Sequence, residues 1–124
     1  MRMEGLRDRT KQFALRILKL SASLPKTSEA QVIGKQVLRS GTSVAANFRE
    51  ASRARSDAEF ISKLGIVEQE LDETMLWLEL LAESGIISQS KLAPLHQETE
   101  ELLKITVSSI KTTKGRKTTK GKPH

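Results

Sequence analysis

The chain has 124 residues, no cysteine, two histidines, 3% aromatic residues and a net charge of +6. That length suits one domain with its own core, and the missing cysteines exclude disulfides, thiolate metal sites and cysteine nucleophiles, which fits a reducing compartment. Arg7, Asp8, Arg9 and Lys11 stand where a signal peptide needs an apolar run, and the longest nearly apolar stretch (76–81) is far too short to cross a bilayer, so a cytoplasmic protein is expected.

Strand signals are absent and apolar residues recur at helical spacing. A first helix is predicted from about Leu6 to Ser23, with Phe13, Ile17, Leu20 and Leu24 in steps of four, three and four. Pro25 ends it, because proline disfavours helix in the residue before it. A second helix starts at Ser28, where Ser28 and Gln31 have capping-box spacing, and runs to about Arg55. Gly41 lies within it beside Ser40, costs about 1 kcal/mol against alanine and predicts a bend. Ser56 and Glu59 cap a third helix that continues to Glu83, with Gly85 as its left-handed stop. The fourth begins near Ser88 or Ser90, with Pro94 loosening its first turn, and runs to about Thr112. Two units are expected: a helical domain over 1–111 and a disordered basic tail over 112–124. Short connections make the fold class all-α, an antiparallel up-down four-helix bundle.

Charge is unevenly spread. Residues 1–55 hold twelve Lys/Arg and four Asp/Glu, a balance of +8. Residues 56–110 hold three and eleven, a balance of −8. The last fourteen residues hold six cations and no acid. A basic half and an acidic half of one body speak to contacts more than the overall charge does.

The faces refine this. On the second helix Ile33, Val37, Val44, Phe48 and Ala51 share the core side, while Lys35, Arg39, Arg49 and Arg53 fall within about 40° of the opposite line. Such a stripe is most often a solvated face or a partner for acidic helices; its other use is to bind phosphate. Gly34, Gly41 and Ala45 form a flank small enough for another helix to approach closely. Ser40, Ser43, Asn47 and Glu50 line the other flank, which predicts a structural hydrogen-bond network, since buried polar groups need partners.

The third helix carries two apolar stripes. Phe60, Leu64, Val67, Leu71, Met75 and Leu78 form the core stripe, and Ile66, Trp77 and Leu80 form the second, with Glu70 and Glu73 in its row. A four-helix bundle buries one stripe of each helix, so the second needs another surface, and an interface between copies through Ile66, Glu70, Glu73, Trp77 and Leu80 is expected.

Catalytic signatures are missing. A di-iron bundle needs Glu-x-x-His on two helices, and the chain has none. His96 has no second histidine near it, and reads as a surface or structural residue. There is no phosphate-binding Gly-x-x-x-x-Gly-Lys loop and no Gly-x-Ser-x-Gly elbow. Glu70 and Glu73, three apart on one face, more often bond Arg, Ser or backbone donors than a divalent ion. No enzyme activity, cofactor or metal is expected.

The run from Arg39 through Ser43, Asn47 and Glu50 to Ala51 resembles the signature of the four helix bundle protein family, also called the 23S rRNA-intervening-sequence protein family. Glu70, Glu73 and Trp77 match it too, in the same order, and the resemblance covers about residues 6 to 112. It implies a small bacterial bundle that assembles as a barrel-shaped homopentamer. Some relatives are encoded within insertions of large-subunit rRNA genes, and similar proteins are accessory factors to the reverse transcriptases of diversity-generating retroelements. The family supplies no catalytic role to transfer. The combined expectation is a non-enzymatic homo-oligomeric scaffold, pentameric by resemblance, that binds nucleic acid, RNA before DNA. The cations expected to serve are Lys35, Arg39, Arg49 and Arg53 with Lys114, Arg116, Lys117, Lys120 and Lys122 of the tail. The alternative is an interaction module that docks a partner enzyme such as a reverse transcriptase.

Overall fold

The structure is a computed structural model that describes residues 3–121, with side chains described to Arg116. It has four α-helices: α1 (Met3–Ser23), α2 (Ser28–Ser52), α3 (Asp57–Glu83) and α4 (Gln89–Gly121). Consecutive helices pack side by side as antiparallel neighbours, and α1 meets α4 over a much shorter stretch. This is the expected four-helix bundle.

The local signals act much as their chemistry requires. In α1, Leu6, Thr10, Phe13 and Ile17 are buried in steps of four, three and four, and Leu24 covers the base of the helix just before Pro25. The cap of α2 sits one residue earlier than expected. Thr27, in extended backbone, accepts from the Ala30 amide at 3.2 Å, and Gln31 instead donates to the Pro25 carbonyl. Ser56 caps α3 by accepting from the Glu59 amide at 3.1 Å, while the Glu59 carboxylate accepts from the Arg55 amide. Gly85, at φ 78°, ends the chain's turn after α3 in the left-handed region where a side chain would be strained.

Gly41 does not interrupt α2, which is continuous as a helix from Ser28 to Ser52. Its role is contact: an added Cβ would stand 2.7 Å from Ile17 Cγ1 on α1. The small flank expected from Gly34 and Gly41 is thus the line along which α1 and α2 come together.

The core is aliphatic, built on Phe13, Ile17, Val37, Val44, Leu64, Leu71, Leu78 and Leu81. The expected core stripe of α3 changes at two places: Phe60 is half-buried at its start, and Thr74, not Met75, is fully buried. The Thr74 hydroxyl donates to the Glu70 carbonyl at 2.8 Å and lies 2.8 Å from the buried Ser40 hydroxyl of α2. Bonded in this way, a hydroxyl avoids the desolvation cost of an unpaired one.

Helix α4 departs most from expectation. It does not stop near Thr112 but continues to Gly121, and Thr113 is buried at 3% exposure. Thr99, Thr106 and Thr113, seven residues apart, are all buried, and each donates to the carbonyl four residues back. That bond hides the hydroxyl and leaves the methyl for packing. The register of the bundle therefore runs into the segment expected to be a free tail. Lys122 and the last two residues lie outside the described residues.

The short seam between α1 and α4 is closed by charge. Arg9 Nε and Nη2 donate to the two carboxylate oxygens of Glu98 at 2.7 Å each, and Nη2 also reaches Glu101 at 2.7 Å. The bonds from Arg9 hold the Glu98 carboxyl below its ordinary value of 4.5, against the opposing effect of burial. A depressed carboxylate contributes stability above its unfolded value and loses it as pH falls through the folded one. The melting-temperature gap between wild type and Glu98→Gln should therefore be widest near neutrality and narrow as pH falls below 4.5 and on through the lowered folded value. Parallel curves through that window would show that the clamp carries no pH-linked stability.

Candidate nucleic-acid interface

Antiparallel packing turns the uneven charge of the chain into an axial one. The start of α1, the end of α2, the start of α3 and the end of α4 share one end of the bundle, where Met3, Arg55, Phe60 and Arg116 line a common cleft. Arg49, Arg53, Arg55, Lys111, Lys114 and Arg116 all belong to that end and are exposed. Around the opposite end, Glu79, Glu83 and Glu100 line a groove of about 440 Å³ between α3 and α4. His96 Nε2 lies 2.9 Å from Glu79 Oε2 there.

The expected cations separate into two groups. Arg39 is exposed, but its guanidinium is already bonded on α3, to Glu70 at 3.1 Å and to Glu73. It is a seam residue between α2 and α3. Lys35 is exposed one turn before it. Arg49 and Arg53 are exposed, and neither has a carboxylate within ion-pair distance among the described residues. They flank a groove between α1 and α2 together with Lys11 of α1, which lies outside the basic stripe of α2. Its signal was weak, because only the pairing of α1 with α2 makes Lys11 a neighbour of Arg49. Lys114 and Arg116 are exposed on α4, whereas the side chains of Lys117 and Lys120 lie outside those described.

The expected interface row is only partly free. Glu70 and Glu73 are engaged by Arg39 of their own chain, with the Glu73 side chain still 44% exposed. The reason is the tight α2–α3 pairing, which sets a cation of one helix opposite the acids of the next. Ile66 and Trp77 are half-buried, with Trp77 packed against the core, and Leu80 remains 40% exposed beside Leu76 at 48%.

The polar flank of α2 also divides. Asn47 Nδ2 donates to the Ser43 carbonyl at 3.0 Å and to its hydroxyl at 2.9 Å. Glu50 stands apart from that pair, 57% exposed and 3.6 Å from Lys63 of α3. The buried polar contact of this helix is Ser40 with Thr74, so the network expected from Ser43, Asn47 and Glu50 is a local pair plus a surface ion pair.

A family model for "23S rRNA-intervening sequence protein" matches residues 6–108. The chain belongs to the 23S rRNA-intervening sequence protein family. A crystal structure from Bacteroides thetaiotaomicron, described as a protein of unknown function from the S23 ribosomal protein family, is 40% identical. The match covers 90% of this chain and 99% of that one, with a TM-score of 0.83. No curated protein matches. The match to the 23S rRNA-intervening sequence family spans the cations of α2, Arg39, Arg49 and Arg53, and ends before Lys111. No helix among the described residues is long and apolar enough to cross a membrane, and no group of three acidic or histidine side chains there is arranged to hold a metal.

Proposed function

We propose that this chain is a non-enzymatic, cytoplasmic, homo-oligomeric scaffold that binds nucleic acid, RNA before DNA, through phosphate contacts. The observation that carries the reading is the exposed basic end, where Arg49, Arg53 and Lys11 have no acidic partner among the described residues. Cations already paired within a fold, such as Arg39, have spent their charge, while these have not. Contacts of this kind release counterions, tolerate many sequences and weaken steeply with salt. Assembly is supported by the exposed Leu76 and Leu80 of α3 beside half-buried Trp77, an apolar surface that a second copy would cover. The count of five rests on the family resemblance.

The test is fluorescence anisotropy of a labelled single-stranded RNA with the full chain at several salt concentrations. Arg49→Glu with Arg53→Glu should lower affinity about tenfold near 0.1 M salt and reduce the salt slope by about 1.4, which corresponds to two lost phosphate contacts. Both variants are exposed, so the melting temperature should hold. Absence of binding by the wild-type chain at 50 mM salt would end this reading. A second reading, docking of a partner enzyme such as a reverse transcriptase, is favoured by the acidic groove near His96, which suits a basic segment. Glu79→Lys with Glu83→Lys should then abolish co-purification of the partner and leave RNA binding intact.

A further inference from the structure

The groove between α1 and α2 is more than a set of charges. It encloses about 500 Å³, and its floor is apolar: Ala14 and Leu15 from α1 face Ala45 and Ala46 from α2. Leu15 is 44% exposed. Arg49 and Arg53, one turn apart and separated by about 6 Å along the axis, stand on one side, with Lys11 on the other. Glu50, the acidic group of this lining, is drawn toward Lys63 at 3.6 Å.

Two copies of this face would not pair with each other. A two-fold contact would set three cations of one copy against three of the other; in a ring, where unlike faces meet, a copy seated in this groove would show itself as a change in molar mass when Leu15 is truncated. An anionic occupant with its own apolar surface satisfies both halves of the groove. A duplex presents phosphate outward and keeps the faces of its bases stacked inside, so it meets the cations but leaves the floor wet. An unpaired strand carries phosphate and exposed base faces together. We infer that the α1–α2 groove is a binding site for single-stranded nucleic acid, with phosphates on Arg49, Arg53 and Lys11 and a base laid over Leu15 and the alanines.

This rests on the proposed nucleic-acid function and adds selectivity for unpaired strands. The floor has no aromatic ring, so base identity matters little and the apolar share is modest. The rim sets the salt dependence and the floor sets the preference for single strands.

The experiment compares a labelled twelve-nucleotide oligouridylate with an RNA duplex of equal length, using the full chain and Leu15→Ala. Alanine is a good helix former and Leu15 lies outside the core, so the fold is kept. At 0.2 M salt, where charge is more strongly screened, the wild type should bind the single strand more tightly than the duplex. Leu15→Ala should weaken single-strand binding about fivefold, with its salt slope and the duplex affinity unchanged. Equal loss for both probes, no loss for either, or a wild type that prefers the duplex would overturn the inference while leaving the proposed function standing. A change in molar mass of Leu15→Ala by light scattering would overturn it too, because the groove would then be a contact between copies. Binding of neither probe by the wild type at 50 mM salt is a failure of the proposed function itself, and the groove inference falls with it.

Discussion

Trp77→Ala should lower the stability of the folded chain by about 3 kcal/mol, and with it the melting temperature by roughly 10 °C. The indole is half-buried and packs against the bundle core. Its removal leaves a void between helices that cannot close, because the aliphatic neighbours are themselves held by the bundle. Trp77 lies beside the exposed Leu76 in sequence and about one turn before the exposed Leu80 on α3, so the proposed association between copies should weaken in the same variant, read as a fall in molar mass on dilution. Trp77→Phe separates packing from polarity. The indole Nε1 is buried without a hydrogen-bond partner, and an unmade bond of this kind costs about 1–3 kcal/mol. Phenylalanine keeps most of the apolar area and discards that donor, so its melting temperature should stay close to wild type. If Trp77→Phe proves as damaging as Trp77→Ala, the N–H has a partner that the fold depends on.

The same glycine-to-alanine change should have opposite signs at two positions. At Gly41 a Cβ would lie 2.7 and 2.8 Å from Ile17 Cγ1 and Cγ2 and 3.1 Å from Ile17 Cβ. Ile17 has no exposed surface, and its branched side chain is stiff at χ1, so it has nowhere to turn. Overpacking of about 3 kcal/mol outweighs the gain of about 1 kcal/mol that alanine brings to a helix, for a net loss of about 2 kcal/mol. At Gly65, within α3, a Cβ meets nothing within 4 Å. Gly65→Ala should therefore raise the melting temperature, with a stabilisation of about 1 kcal/mol. Thermal melts of the two single variants decide the matter. A stabilised Gly41→Ala would mean that α1 can move away from α2 at little cost, and that the glycine flank is not what sets their separation.

Several features of this protein are written in short stretches of sequence. Pro25 ends α1, Ser56 caps α3 and Gly85 stops it, because each acts on backbone within four residues of itself. Phe13 and Ile17, or Leu64, Val67, Leu71 and Leu78, mark their core faces because helical periodicity is local too. Four helices, their order and their apolar faces were legible for that reason, as was the contact role of Gly41 among the small residues of α2. What depended on neighbours was not. Thr74, Thr99, Thr106 and Thr113 are polar in the sequence, yet each turns its hydroxyl back to its own helix and packs as an apolar residue. That decision is made by the helix opposite, which offers a place to bury the methyl, and it carries α4 past its expected end. The fate of the charges was decided in the same way. Lys35, Arg39, Arg49 and Arg53 share one line along α2, but only Arg39 meets Glu70 and Glu73 across the α2–α3 seam. Arg49 and Arg53, about three and four turns further on, line a groove with Lys11 of α1 instead and have no acidic partner among the described residues. Periodicity specifies the side of a helix on which a residue lies, whereas Coulomb interactions and burial depend on distances between helices, which exist only once the bundle has formed.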